Sequence, residues 1–263
     1  MASEETSEFE ALDADFAKWM EEAHVPGLVW GIVKDGKLVH VKAMGVQELR
    51  TRSPVTTDTA FRIASMTKAF TGYSILKLRD EGKLRLDDPV SKYVPETSGW
   101  SKGVTVGDLL HHTAGFVTDD PWGDRQQPLP EAEFTKMLET GVPFSTAPGT
   151  RYEYSNFGYA LLGRIVSNVS KQDYAARIEE TLLKPLGMKS SRYEVRDVPA
   201  GKLAMGYRWE NDAWAPEPVM PHGAFGAMGG LVTTGNDYAK WISYLLAAWP
   251  ARELEVTSRK TVR

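Results

Sequence analysis

Asp35-Gly36 separates two β-rich runs, Leu28 to Lys34 and Lys37 to Met44, and it constrains the fold more than any other short stretch. Asp-Gly suits the positive φ angles of a two-residue hairpin turn, so the two runs are expected to pair antiparallel. A lone hairpin is marginal in water and needs a second layer. That layer precedes it. Phe9, Leu12, Phe16, Trp19 and Met20 recur at three- and four-residue spacing, which puts them on one face of a helix ending near His24, before Pro26-Gly27. The chain therefore opens with a helix lying on a hairpin.

After a polar loop around Ser53 to Thr59, a helical stretch runs from Ser65 to Glu81 and stops at Gly82, a natural C-terminal cap. From Leu84 to about Met188 the pattern is mostly helical with Pro-rich breaks. Thr105-Val106-Gly107-Asp108 resembles a capping box, Pro130 suits a first helical turn, and Asn156 to Val169 and Asp173 to Leu183 read as helices. Strand character returns at Leu203 to Trp209. Gly229 to Thr234 then leads into a helix carrying Tyr238, Trp241, Ile242, Leu245 and Leu246. The expected class is α+β, an antiparallel sheet flanked by helices, with residues 1–84 and 196–263 forming the sheet region and residues 85–195 a mostly helical subdomain. No repeat or flexible linker divides the two, so they are expected to share one core.

Several functions are disfavoured at this level. The 31 basic residues are scattered among 35 acidic ones for a net charge of −4, which offers no cationic stripe for nucleic acid. No run reaches the length of a membrane span. The chain has no cysteine, so disulfides and thiolate metal sites are excluded, and the compartment stays open. The start, Met1-Ala2-Ser3-Glu4-Glu5, is acidic and polar, unlike a secretory leader.

Two Ser-x-x-Lys strings occur, Ser65-Met66-Thr67-Lys68 and Ser74-Ile75-Leu76-Lys77. Positions three apart share a helix face, so a lysine amine can reach the serine hydroxyl and take its proton. Only Ser65 sits at a helix start, where the macrodipole and free N–H groups favour an alkoxide and a negative acyl-transfer transition state. Ser74 lies about half a turn round the helix at roughly 100° per residue. Ser74 and Lys77 are therefore read as packing or surface residues.

Tyr154-Ser155-Asn156 is the one Tyr-x-Asn in the chain, and residues two apart point together on extended backbone. A phenol beside a lysine ammonium loses its proton well below the usual value of about 10, which suits Tyr154 to act as base or acid. Asn156 offers an amide to a substrate carbonyl or to Lys68. As alternatives, Tyr154 is a core aromatic and Asn156 an N-cap. His111 and His112 point to different sides of a helix with no third ligand at a metal spacing, so His112-Thr113-Ala114-Gly115 is assigned a structural role at a helix end. Trp122, Trp209 and Trp214 are assigned no functional role.

Ser65-Met66-Thr67-Lys68 followed by Tyr154-Ser155-Asn156 resembles the serine β-lactamase and penicillin-binding-protein superfamily, in particular class C β-lactamases, D-amino-acid peptidases, DD-carboxypeptidases and β-lactamase-like esterases. Phe61-Arg62-Ile63-Ala64, Leu109-Leu110-His111-His112-Thr113-Ala114-Gly115, Pro148-Gly149, Lys184-Pro185-Leu186-Gly187-Met188 and Gly229-Gly230-Leu231-Val232-Thr233-Thr234 resemble stretches that the superfamily repeats. The resemblance implies a serine hydrolase that works through an acyl-enzyme on Ser65, with Lys68 and Tyr154 handling the proton and Asn156 binding substrate. It implies no cofactor and no metal, and a small-molecule ester, peptide or β-lactam-like substrate. An ester or peptide is favoured over an antibiotic.

One element departs from the superfamily. Its third motif, Lys-Thr-Gly or His-x-Gly, is absent, since Lys260-Thr261-Val262 has Val and His222-Gly223-Ala224 has Ala where Gly lets substrate approach the backbone. Thr257-Ser258 resembles a helix cap close to the end, and few strands are present for the helices to be covered. The chain is therefore expected to be a truncated form of a longer protein, with C-terminal strands missing. A non-catalytic binding protein built on the same cleft and an acyltransferase with the same nucleophile stand as alternatives.

Overall fold

The structure is a computed structural model that describes residues 2–119 and 122–248. Helix α1 (Ala2–Glu22) is followed by β1 (Gly27–Lys34), β2 (Lys37–Glu48), β3 (Ser53–Pro54) and β4 (Phe61–Arg62), and a 3-10 turn at Ala64–Met66 enters α2 (Thr67–Asp80). Next come α3 (Val106–His111), α4 (Trp122–Arg125), α5 (Glu131–Thr140), α6 (Asn156–Ser170) and α7 (Tyr174–Ile178), the last running into a π-helical turn at Glu179–Leu183. The chain continues with β5 (Tyr207–Glu210), β6 (Ala213–Pro216), α8 (Gly226–Gly229), β7 (Val232–Thr233) and α9 (Gly235–Leu246).

The hairpin forms as the turn residues predict. Asp35 has φ 51° and Gly36 φ 72°, and β1 and β2 pair antiparallel from Gly27↔Gly45 to Lys34↔Lys37, with an irregularity at Ile32/Val33. Its two faces carry different helices. The Phe16 ring of α1 packs tilted on Trp30 with centroids 4.6 Å apart, and Asp13 accepts hydrogen bonds from Trp30 Nε1 and His40 Nε2, each at 3.1 Å. Val29, one residue along and so on the other face, meets the start of α9, where a Cβ at Gly235 would lie 2.6 Å from Val29 Cγ1. The sheet face of α1 is Phe9, Asp13, Phe16 and Met20, while Leu12 and Trp19 stay exposed. The hydrophobic stripe in the sequence is thus wider than the surface the hairpin covers.

The described strands form three small antiparallel sheets, β1-β2-β3, β4-β7 and β5-β6. The strand expected at Leu203 to Trp209 is a hairpin instead. It turns at Asn211-Asp212, both at positive φ, and its Trp209 and Trp214 rings close on His24 at 4.0 and 6.1 Å. Trp209 and Trp214 are therefore packing residues. The Trp122 side chain, Thr257-Ser258 and Lys260-Thr261-Val262 lie outside the described residues and side chains.

Several helix ends follow their local chemistry. Gly82 at φ 70° ends α2 in a Schellman arrangement, with Lys83 N–H bonded to Leu78 O and Gly82 N–H to Arg79 O. Thr105 and Asp108 form a reciprocal capping box on α3. Pro130 is the N-cap of α5 rather than its first helical residue.

One hydrophobic cluster runs through Phe70 of α2, Phe157 and Leu161 of α6, Phe225, and Trp241 of α9. At its centre α6 and α8 approach closely. A Cβ at Gly163 would lie 2.5 Å from Ala227 Cβ, so any side chain there forces the helices apart. Gly163→Val is expected to destabilise the protein by about 1–3 kcal/mol, seen as a lower urea midpoint at constant m-value. An unchanged midpoint would mean that this contact does not set the spacing.

Candidate active site

Strand β4 pairs with β7 through Phe61↔Thr233 and Arg62↔Val232, and Ile63 N–H extends the ladder to Leu231 O at 3.0 Å. The chain then turns sharply. Ala64 has φ 45°, an uncommon conformation for a residue with a Cβ, and Ser65 follows, exposed, inside the 3-10 turn. Ser65 was expected in the first turn of the helix; it lies in this tighter turn, which runs directly into α2.

One face of α2 is tied to the segment around α8. Thr67 Oγ1 accepts from Leu231 N–H at 3.1 Å, and Thr71 Oγ1 donates to Ala227 O at 2.6 Å. Between them Lys68, only 7% exposed, donates to Met228 O at 2.9 Å, Asn156 Oδ1 at 2.7 Å and Ser65 Oγ at 3.1 Å. Three ammonium donors thus meet three neutral oxygens. The Lys68 nitrogen also lies 4.8 Å from the Tyr154 ring centroid. Ser65 Oγ and Tyr154 OH are 2.7 Å apart. Ser65, Lys68, Tyr154 and Asn156 therefore converge within hydrogen-bond reach, although 89 residues separate Ser65 from Tyr154.

The Tyr154 and Asn156 pair is held by the N-terminus of α6. Ser155, with φ −139° and ψ 119°, is the N-cap and accepts from Gly158 N–H at 3.0 Å. Asn156 is the first helical residue, so the cap that was the alternative reading of Asn156 belongs to its neighbour. Asn156 is buried, and a Cβ at Gly123 would lie 2.8 Å from its amide nitrogen.

Two residues that the sequence reading did not place at the site complete it. Asp119 is buried, and its carboxylate accepts from Asn156 N–H at 2.8 Å and Phe157 N–H at 2.6 Å. It thus satisfies two first-turn donors that the N-cap leaves open. Burial raises its pKa, opposed by those backbone donors and by Lys68. No local signal marks Asp119, because it caps a helix from outside that helix's own sequence.

His112 is the second. It caps the C-terminus of α3 at φ 57°, which is the helix-end role expected of it, and it also stacks on Tyr154 with centroids 4.7 Å apart at 30°. Ser155 N–H donates to His112 Nδ1 at 3.1 Å. Since a backbone N–H only donates, Nδ1 is the acceptor and the ring is neutral with its proton on Nε2.

The other string is placed elsewhere. Ser74 is buried in the packing of α2 rather than at the surface, and Lys77 pairs with Glu81. The His222 ring packs against Tyr193 at 5.1 Å in the helical core, and Ala224 N–H bonds to Leu129 O.

Burial, and to a lesser extent the Lys68 charge, lowers the His112 pKa from 6.5 to about 4. The unfolded chain therefore binds more protons than the folded one between these values, and His112 removes stability as pH falls from 6.5 towards 4. His222 is lowered by burial and acts in the same sense. His112→Gln is expected to flatten the fall in urea-unfolding free energy across this window, because it removes one of the two histidines whose lowered pKa produces that fall. A slope equal to that of the unaltered protein would contradict the neutral, buried assignment of His112.

The chain is 34% identical over 239 residues to the protein flp of Staphylococcus aureus (strain MW2), a match covering 86% of this chain and 47% of that protein. In three dimensions it is similar to the octameric penicillin-binding protein homologue from Pyrococcus abyssi, with a TM-score of 0.84, 31% identity, and coverage of 97% of this chain and 59% of the other. It is also similar to the D-alanine carboxypeptidase AmpC from Burkholderia cenocepacia, with a TM-score of 0.78, 28% identity, and coverage of 94% and 66%. The chain thus spans about half the length of the curated relative it matches. Residues 12–262 match the profile described as Beta-lactamase, and the chain belongs to the beta-lactamase family.

Proposed function

We propose that this protein is a serine hydrolase that cleaves an ester or amide through an acyl-enzyme on Ser65. The observation that carries this reading is the double approach to Ser65 Oγ, by Tyr154 OH at 2.7 Å and Lys68 Nζ at 3.1 Å. Met228 O and Asn156 Oδ1 only accept from Lys68, so they hold two of its N–H groups, and the third position faces Ser65 whether it carries a proton or a lone pair. When Lys68 is charged it donates to Ser65, and the serine proton turns to the Tyr154 oxygen. When Lys68 is neutral, its lone pair receives the serine proton directly. Lys68 and Tyr154 thus act as one coupled base.

The Ser65 oxygen attacks the acyl carbon while its proton passes to this pair. The bond to the leaving group then breaks, and the same proton goes to the departing oxygen or nitrogen. Water, deprotonated by the pair, releases the acyl group and restores Ser65. The Ser65 N–H, at the start of the helical turn, is suited to hold the developing oxyanion. Asn156 keeps Lys68 in place and offers its amide nitrogen to the substrate. His112 and Asp119 position Tyr154 and Asn156. An ester or peptide is favoured over an antibiotic as substrate, although the similar structures include class C beta-lactamases as well as a D-alanine carboxypeptidase.

A second reading, a binding protein that uses the same cleft without turnover, is favoured by one feature. Among the described residues no Lys-Thr-Gly or His-x-Gly stretch lies beside Ser65 to give a second oxyanion donor. Loss of one such donor costs about 3 kcal/mol, or a hundredfold or more in rate.

Intact-mass analysis after incubation with a p-nitrophenyl ester and, separately, a fluorescent penicillin separates the two readings. Acylation is expected to add one acyl mass to the protein and none to Ser65→Ala with an unchanged circular dichroism spectrum. Tyr154→Phe should slow labelling by about 10²–10⁴-fold. A folded protein that takes no label, or equal labelling of Ser65→Ala, would remove Ser65 as nucleophile and leave the binding reading.

A further inference from the structure

A cavity of about 980 Å³ begins at Ala64, the residue before Ser65, and runs between α4 and the β5–β6 hairpin. Its apolar wall includes Leu203, Val219 and Met220, and its charged residues are Arg62, Asp124, Arg125, Arg208 and Glu217. Arg208 and Glu217 neutralise each other in a close ion pair. The remaining charges are unequal. Arg125 is exposed, whereas Arg62 is half-buried, and among the described residues Arg62 makes no side-chain hydrogen bond or ion pair. Asp124 acts on it only through space. Burial pulls the Arg62 guanidinium below its ordinary pKa, and the Asp124 charge only partly opposes that.

A half-buried guanidinium that faces a cavity has its planar fork of donors available to a ligand, and that fork matches the two oxygens of a carboxylate. Position sets which part of a substrate reaches it. In the proposed reaction the leaving group departs beside Tyr154 and Lys68, which return its proton. Neither residue lines this cavity. Ala64, the neighbour of Ser65, does line it, so an acyl group held on Ser65 would reach Arg62 by way of Ala64.

We propose that Arg62 is a specificity residue that binds a carboxylate on the acyl side of the substrate, so that the preferred acyl groups are those of dicarboxylic or acidic amino-acid type. This rests on the acyl-enzyme reading of Ser65. Asp124 opposes the incoming charge and limits the preference.

The test compares acylation of Ser65, by intact mass, for mono-p-nitrophenyl esters of four- to six-carbon dicarboxylic acids and for p-nitrophenyl esters of fatty acids of matching length. In each, Ser65 Oγ gains the acyl carbon, nitrophenolate leaves with its electron pair, and the serine proton passes to the Lys68 and Tyr154 pair. At one chain length or more the anionic donor is expected to label about tenfold or more faster, the value of one charge-assisted contact. The ratio should fall to about one in Arg62→Gln, stay above one in Arg62→Lys, and rise in Asp124→Asn. Equal labelling by both donor types at every length overturns the carboxylate subsite and leaves Ser65 as nucleophile. No labelling by either overturns both. If Arg62→Gln does not fold, Asp124→Asn decides, since a ratio that fails to rise there is against the proposal.

Discussion

The buried ammonium of Lys68 is the constraint around which the centre of the molecule is built. A charge withdrawn from water is tolerated only when its hydrogen-bonding capacity is met, and here it is met by oxygens from three separate places. These are Ser65 one turn away, Asn156 at the start of α6, and the backbone of α8. Each acceptor requires its element to lie at one position relative to α2. The close contact of Gly163 with Ala227 and the bonds from Thr67 and Thr71 keep those elements there.

The same demand passes outward to the start of α6. Asn156 can hold Lys68 only if the first turn of that helix is fixed, and Asp119, Ser155 and His112 fix it from three directions. Asp119 sits near the positive end of α6 and close enough to Lys68 to feel its charge. His112 remains neutral because burial beside a cation disfavours its protonation. A cation, a partly compensating carboxylate and a neutral imidazole thus lie together around Tyr154 and Asn156.

Local patterns were legible where local physics decides the outcome. Asp35-Gly36, Gly82 and the capping box at Thr105 were readable because a turn or cap depends on φ angles and hydrogen bonds within a few residues. That Ser65 lies near the start of one helix and Ser74 inside it was readable for the same reason. Where packing intervened, the pattern misled. Leu12 and Trp19 carry the periodicity of a buried face yet stay exposed, because periodicity fixes a stripe on a helix but not the width of the surface that meets it. Of the two readings of Ser74, packing or surface, the packing one holds.

The sequence by itself determined the helix and hairpin opening, the ends of the principal helices, and the candidate chemistry of Ser65, Lys68, Tyr154 and Asn156, because each is expressed in residue type and spacing over one or two turns. Only the tertiary structure decided that Asp119 caps α6 from outside it, that His112 stacks on Tyr154, and that Arg62 and Ala64 line one cavity with α4 and the β5–β6 hairpin. Those relations join residues far apart in the chain. For Asp119 and His112 the physical cause is the satisfaction of backbone donors across several elements, which no single stretch of sequence encodes.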